Sequence, residues 1–84
     1  MSIYWRCKSL QSIHIPDSVI SIGNHAFCWC TSLQSINIPD SVTSIGNDAF
    51  DRCNSLQIIR IPKGTRDKML KLLSNQYKDK LIEE

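Results

Sequence analysis

The apolar and polar residues of this chain follow a block that recurs along most of its length. In the best-formed copy, residues 33–38 read Leu-Gln-Ser-Ile-Asn-Ile and end in strict alternation, which is typical of a strand with one buried face. Pro39 follows, and proline cannot donate an amide hydrogen to a strand ladder. The pattern therefore predicts a short strand that ends at residue 38.

The second half of the block predicts an opposite wall and a closing corner. Val42 and Ile45 return apolar side chains to the interior, and Gly46 favours a corner with a positive φ. Residues 49–50, Ala-Phe, complete the block, the alanine leaving space that the phenylalanine fills. Six side chains of this copy are expected to be buried: Leu33, Ile36, Ile38, Val42, Ile45 and Phe50.

The block has a fixed period of 23 residues. The positions that recur three times at this spacing include Cys7, Cys30 and Cys53; Leu10, Leu33 and Leu56; Ile13, Ile36 and Ile59; Ile15, Ile38 and Ile61; Pro16, Pro39 and Pro62. A single block is too small to form a core of its own, but stacked copies share a continuous one. The sequence therefore predicts a β-rich repeat solenoid of parallel strands.

From residue 65 the apolar spacing changes to that of a helix. The residues that would share one face are Met69, Leu70, Leu73, Tyr77 and Leu81. Thr65 is expected to cap the helix, which should end near residue 74; residues 77–84 would then form a second short turn or an extended piece. We expect this segment to cover the open end of the last repeat, as solenoids require.

These patterns divide the chain into a solenoid of about 2.5 repeats at residues 1–64 and a C-terminal α-helical cap at residues 65–84. Residues 1–7 align with the end of a repeat, which favours a chain cut from a longer array over a short product without an N-terminal cap. The strand near residues 10–15 would then have an open edge, and such edges pair with other chains. We expect a homodimer through this N-terminal end.

The string C-x-S-L-x-S-I-x-I-P-D-S-V-x-S-I-G-x-x-A-F at residues 30–50 resembles the leucine-rich repeats of the BspA-like type. The resemblance covers roughly residues 1–64. Repeats of this type occur in surface proteins of bacteria and some protists. The resemblance implies a binding scaffold, not an enzyme, located at the cell surface or secreted.

The charge and apolar content of the chain indicate which classes of partner to expect. The 84 residues carry a formal net charge of +2, and the lysines of the C-terminal segment are interspersed with acids and lack interleaved aromatics. This is typical of a solvated helix face, so no nucleic acid is expected. The sequence has no run of 18 apolar residues, so no membrane span is predicted. The first residues lack the pattern of a signal peptide, which leaves a cytoplasmic location open.

The four cysteines are expected to be reduced thiols that pack as small apolar side chains. Cys28-x-Cys30 is tighter than the usual zinc spacing. A disulfide within the stacked cysteine positions and a metal site remain alternatives. Cys28 aligns with Asp51, so it is expected to be the most exposed thiol.

No catalytic residue, cofactor site or metal site is predicted. His14 and His25 align with surface positions, and no nucleophile has a base placed beside it by the repeat. Asp17 and Asp40 recur as turn formers, with a calcium site as a remote alternative. The chain is therefore not expected to be an enzyme.

The outward strand positions are the candidate binding surface. They form two parallel rows that vary while the buried positions do not: Ser12, His14, Ser35, Asn37, Ile58 and Arg60. Such variation suits recognition of a protein partner, and neutral drift at solvent positions explains it equally well. Trp29 is a further candidate contact because interfaces are enriched in tryptophan; packing against Trp5 or local loops is the alternative. The predicted function is a non-catalytic protein-interaction or adhesion module, the C-terminal part of a BspA-like surface protein, and the alternative is a purely structural cap.

Overall fold

The computed structural model describes residues 9–84, which form six short strands and two helical segments. The strands are β1 (Ser12–His14), β2 (Ser21–Ile22), β3 (Ser35–Asn37), β4 (Ser44–Ile45), β5 (Ile58–Ile61) and β6 (Leu81–Glu83). The helical segments are the α-helix α1 (Arg66–Leu73) and a 3₁₀ helix (Asn75–Lys80).

All strand pairs in the described part of the chain are parallel, and the repeat sets the register of every pair except β5 with β6. One sheet has the order β1-β3-β5-β6, and β2 pairs with β4 in a second sheet. Ile36 lies opposite Ile13 on one side and Ile59 on the other, so each pairing joins residues 23 apart. The fold is therefore a β-rich repeat in which equivalent positions of successive blocks are neighbours.

The core lies between the two sheets and confirms five of the six predicted buried positions. Leu33, Ile36, Ile38, Val42 and Phe50 are all 4% exposed or less. The sixth, Ile45, is only half-buried, although its partner Ile22 is buried. The difference arises because β4 is the last strand of its sheet among the described residues, where α1 replaces a third strand.

Aromatic rings fill the closing corner of each block. Phe27 and Phe50 stack with ring centroids 5.4 Å apart and an interplanar angle of 3°. Tyr77 meets Phe50 edge-on, with centroids 6.0 Å apart. The tyrosine of the C-terminal segment thus occupies the place that the next phenylalanine of the array would take.

Gly46 is required for a different reason from the one predicted. It does not have a positive φ, which among the described glycines belongs to Gly64 at 87°. A Cβ at Gly46 would instead lie 2.3 Å from the Asn24 Cα of the preceding block. Close approach of two backbones, and not an unusual conformation, therefore demands the glycine.

The predicted cap by the Thr65 side chain is wrong. Thr65 precedes α1, but its hydroxyl donates to the carbonyl of Pro62 at 2.6 Å and to no helix amide. Its φ of −104° and ψ of 10° depart from the extended conformation of a capping residue. The end of α1 near residue 74 is confirmed, since Ser74 has a φ of 79° and leaves the helix.

The C-terminal segment is only partly helical: the predicted helical cap is limited to α1 and the 3₁₀ helix, and β6 is the extended piece expected within residues 77–84. After the 3₁₀ helix, β6 joins the sheet beside β5, with Leu81 opposite Ile59. Leu81 is 7% exposed, and the Glu84 amide donates to the Ile61 carbonyl at 2.9 Å. The edge of β5 is therefore covered by a strand, while Met69 and Leu73 of α1 are buried against the core.

Several expectations fall on residues 1–8, which lie outside the described residues. They are the incomplete first repeat, the place of Cys7, the packing of Trp29 against Trp5 and the open N-terminal edge. Self-association through that edge stays a prediction.

Candidate functional site

The six outward positions of the strands lie in two rows on the outer face of the four-stranded sheet. Ser12, Ser35 and Ile58 are paired in register across β1, β3 and β5, and so are His14, Asn37 and Arg60. Alternation along each strand directs the residues between the rows into the core. The repeat thus brings each row together as the sequence predicts.

The structure separates the two rows, because only the row of His14, Asn37 and Arg60 lines a cleft. The cleft has a volume of about 210 Å³ and lies where the strands end. Its lining consists of this row, the isoleucine after it in each block, and residues of the following turns: His14, Ile15, Asp17, Asn37, Ile38, Pro39, Arg60, Ile61, Pro62 and Glu84. The row of Ser12, Ser35 and Ile58 lies beyond this lining.

Two polar contacts order the floor of the cleft. The Asn37 side-chain nitrogen Nδ2 lies 3.3 Å from His14 Nδ1, within hydrogen-bond distance, and it donates in the imidazole tautomer in which Nδ1 accepts. Arg60 Nε lies 3.7 Å from Glu84 Oε2 in an ion pair whose side chains are 36% and 59% exposed. An exposed pair of this kind adds little stability, so a ligand can compete for either partner.

Sequence reasoning missed Asp17 and Glu84 as cleft residues. The pattern predicts a turn former at Asp17, with a calcium site as a remote alternative, but a turn directly after a strand also places its side chain at the end of that strand. Glu84 carried no usable signal, because β6 pairs outside the 23-residue period. The cleft is thus flanked by one carboxylate at each end of the sheet.

Trp29 lies outside the cleft, at a different position of the repeat. It is 40% exposed, and the guanidinium of Arg52, its equivalent one block later, lies 5.3 Å from the centroid of its ring. Both residues have a left-handed backbone, with φ of 65° and 64°. Arg52 is therefore a local stacking partner for Trp29, a contact that the sequence does not predict.

The prediction that Cys28 is the most exposed thiol is wrong. Cys28 is 4% exposed, whereas Cys53 is half-buried. Alignment with the exposed Asp51 gave the wrong prediction because a thiol is itself apolar, so its burial is favourable. The Cys53 thiol donates to the Phe27 carbonyl at 3.0 Å, and burial raises its pKa to about 12. Such a thiol is a poor nucleophile, because the thiolate is the reactive form.

A second, polar cleft of about 170 Å³ lies beside the closing corner of the last block. Its lining includes Asp48, Asp51, Cys53 and Tyr77. Burial raises the pKa of the Tyr77 hydroxyl, and negative charge on Cys53 and the aspartates adds to the effect. The Cys53 thiol and the Tyr77 hydroxyl are therefore both held in their protonated, unreactive forms.

The remaining candidates for chemistry are isolated. His25 Nε2 lies 3.7 Å from Asp48 Oδ2, with both side chains 59% exposed. No group of three His, Cys, Asp or Glu residues among residues 9–84 is arranged to hold a metal ion. The helices in this described range are all too short or too polar to cross a membrane.

The geometry agrees with one known repeat family. A family model for the BspA-type leucine-rich repeat region of 6 copies matches residues 1–78. The chain belongs to the BspA-type leucine-rich repeat family. The resemblance carried by residues 30–50 is thereby confirmed, and the match includes every strand but β6. No curated protein and no solved structure matches the chain.

Membership indicates a general class of function. Leucine-rich repeats of this family are in general protein-interaction modules without enzymatic activity. In this BspA-type chain, the outer sheet face with its cleft is the surface that offers polar side chains on a repeated frame.

Proposed function

We propose that this BspA-type repeat is a non-catalytic module that binds a protein partner through the outer face of its four-stranded sheet. The row of His14, Asn37 and Arg60 is the centre of the binding surface, and Ser12, Ser35 and Ile58 form its margin. The observation that carries the proposal is the cleft, which is lined by the varying row and lies above an invariant row of buried isoleucines.

The chemistry of the row suits reversible recognition. An imidazole, a carboxamide and a guanidinium stand side by side on neighbouring strands, and together they donate and accept hydrogen bonds. Each is partly or fully exposed, so binding requires no opening of the core. An extended segment of a partner laid across the strands meets all three in turn.

The wider setting follows from the family. We propose that the module is the C-terminal part of a surface or secreted protein with an adhesive role, and that residues 1–64 form a solenoid which residues 65–84 close. We also propose that the chain forms a homodimer through β1, because an edge strand can pair with the strand of another chain.

A second candidate function is a structural cap that binds nothing. The observation that favours it is the closing strand β6, whose residue Leu81 is buried and whose Glu83 carboxylate accepts from the Gly64 amide at 3.1 Å. Both functions are compatible with the fold, and they differ in whether the outer row matters to a ligand.

Selection from a displayed peptide library separates the two functions. Peptides enriched on the wild-type protein are measured against the triple variant His14→Ala/Asn37→Ala/Arg60→Ala. Binding should fall at least tenfold, because each lost charged or polar contact contributes about 1 kcal/mol or more.

A matched control variant removes the same kinds of side chain at positions outside the cleft. The variant His25→Ala/Asn47→Ala/Lys71→Ala removes an imidazole, a carboxamide and a cation at exposed positions outside the cleft, and it should bind as the wild type does. Circular dichroism and urea midpoints verify that both variants fold. Equal binding by the cleft variant, or a library that yields no specific peptide, contradicts the binding function and favours the structural one.

A further inference from the structure

The turn after each strand of the repeat has the same form in the first two complete blocks. In the first, the Val19 amide donates to the Pro16 carbonyl at 3.1 Å, and in the second the Val42 amide donates to the Pro39 carbonyl at 3.3 Å. Asp17 and Asp40 hold the same place in these turns. The two aspartates thus present a carboxylate and a main-chain carbonyl in the same backbone setting.

The second of these turns already holds an ammonium group. Lys68, which extends from α1, donates from Nζ to the Asp40 carbonyl at 2.6 Å and to Asp40 Oδ1 at 2.8 Å. Hydrogen bonds with a charged donor are stronger than neutral ones, and one ammonium nitrogen donates two of them here. The turn therefore acts as a clamp for a lysine.

Among residues 9–84, no group occupies the first turn in this way. Neither the carboxylate nor the carbonyl of Asp17 accepts a hydrogen bond from residues 9–84. Lys68 is committed to Asp40, and the equivalent position in the third block is itself a lysine, Lys63. Asp17 is exposed and lines the cleft beside His14.

We propose that the turn at residues 16–19 is a second lysine clamp, and that its occupant is a lysine of the protein partner that lies in the cleft. This inference rests on the proposed function for the source of the lysine, but the clamp itself is argued from the occupied turn. Calcium is a poorer fit, because it takes 6–8 oxygen ligands and the turn offers a carboxylate and one carbonyl. The partner is thus expected to carry a basic residue next to the segment that crosses the strands.

The clamp is tested with a minimal probe, Nα-acetyl-lysine N-methylamide, and its Nε-acetylated form as the matched control. Amide resonances of the protein are recorded by NMR during the titration. The free amine should shift the resonances of Asp17 and Ser18, and the acetylated probe should not. Asp17→Asn should weaken the response about tenfold, the loss expected for one charged hydrogen bond.

The occupied turn provides an internal control. In the wild type, the Asp40 turn should not respond, because Lys68 fills it. In Lys68→Met, which keeps the apolar stem and removes the ammonium, the Asp40 turn should respond as Asp17 does, so that one site becomes two. If Asp17 stays silent while Asp40 responds in Lys68→Met, or if the acetylated probe acts equally, the second clamp is overturned.

The source of the lysine is tested separately. Shifts at Asp17 that grow with protein concentration and without probe would show a second copy of this chain as the occupant and overturn the assignment to a partner. A silent Asp17 in a protein whose cleft variant loses peptide binding overturns the clamp and leaves the proposed function standing. A responsive Asp17 without cleft-dependent peptides supports the clamp and contradicts that function.

Discussion

Cys53 shows how burial decides what a side chain of this repeat can do. Partial burial removes much of the solvent from the thiol, and its hydrogen points at the Phe27 carbonyl. The same position in the preceding block is Cys30, which is fully buried. A residue that is among the more reactive in solution is thereby an unreactive packing group, in keeping with a binding module.

The raised pKa predicts a loss of stability in alkali. Desolvation raises the pKa of Cys53 to about 12, so the folded state holds the proton more tightly than the unfolded chain does. Below the ordinary thiol pKa of about 8.5 both states are protonated and the effect is fully present. As pH rises from there towards 12, only the unfolded state ionises, and the free energy of unfolding falls. Tyr77, whose pKa is also raised, acts in the same direction at higher pH.

Urea unfolding at a series of pH values measures this effect. The midpoint should be steady up to about pH 8 and then fall. In Cys53→Ala the fall should be shallower, whatever the cost of the substitution at neutral pH. A variant with the same alkaline slope as the wild type would show that the thiol does not titrate as argued.

At the scale of elements, the repeat period predicted most of what positions the site. Because equivalent residues pair 23 apart, the sequence alone placed Ile36 in the core and Asn37 in the outer row. It could not place β6, since Leu81 pairs with Ile59 at a separation of 81 − 59 = 22. A shift of one residue reverses which side chains face the core, so the period gives no guide to this strand or to the carboxylate of Glu84 that follows it.

The local contacts were harder to predict than the register. The hydroxyl of Thr65 had two acceptable uses, closing its own turn or capping α1, and composition does not choose between them. The need for Gly46 arises from an approach between two blocks that only the stacked structure reveals. The pattern predicts a turn at Asp17, but the lysine clamp that we propose there rests on comparison with Lys68 on Asp40.

Phe50 joins two elements and is the most sensitive point between them. Its ring stacks on Phe27 and meets Tyr77 of the 3₁₀ helix. Phe50→Ala should reduce the free energy of unfolding by about 3–5 kcal/mol, a large share of what a small domain has. Ile20→Ala is the control, since Ile20 is 64% exposed and should change stability by no more than about 0.5 kcal/mol. Equal urea midpoints for the two variants would refute the stacking of blocks described here.

At the scale of the whole molecule, constant and variable positions are divided between the two sides of one sheet. Isoleucines recur on the inner side, while the outer row of His14, Asn37 and Arg60 carries a different residue in each block. The inner constancy holds the strands in register, and this frees the outer positions to change without loss of the fold. A binding surface on this frame can be altered one strand at a time.

The central claim is that a ligand binds on the outer face of the four-stranded sheet. NMR mapping of amide shifts in the wild-type protein, with a peptide selected on it, tests this claim most directly because it needs no variant. The largest shifts should fall at residues 12–17, 35–39 and 58–62, along the ends of β1, β3 and β5. Shifts concentrated on the opposite sheet, at residues 21–22 and 43–48, would contradict it.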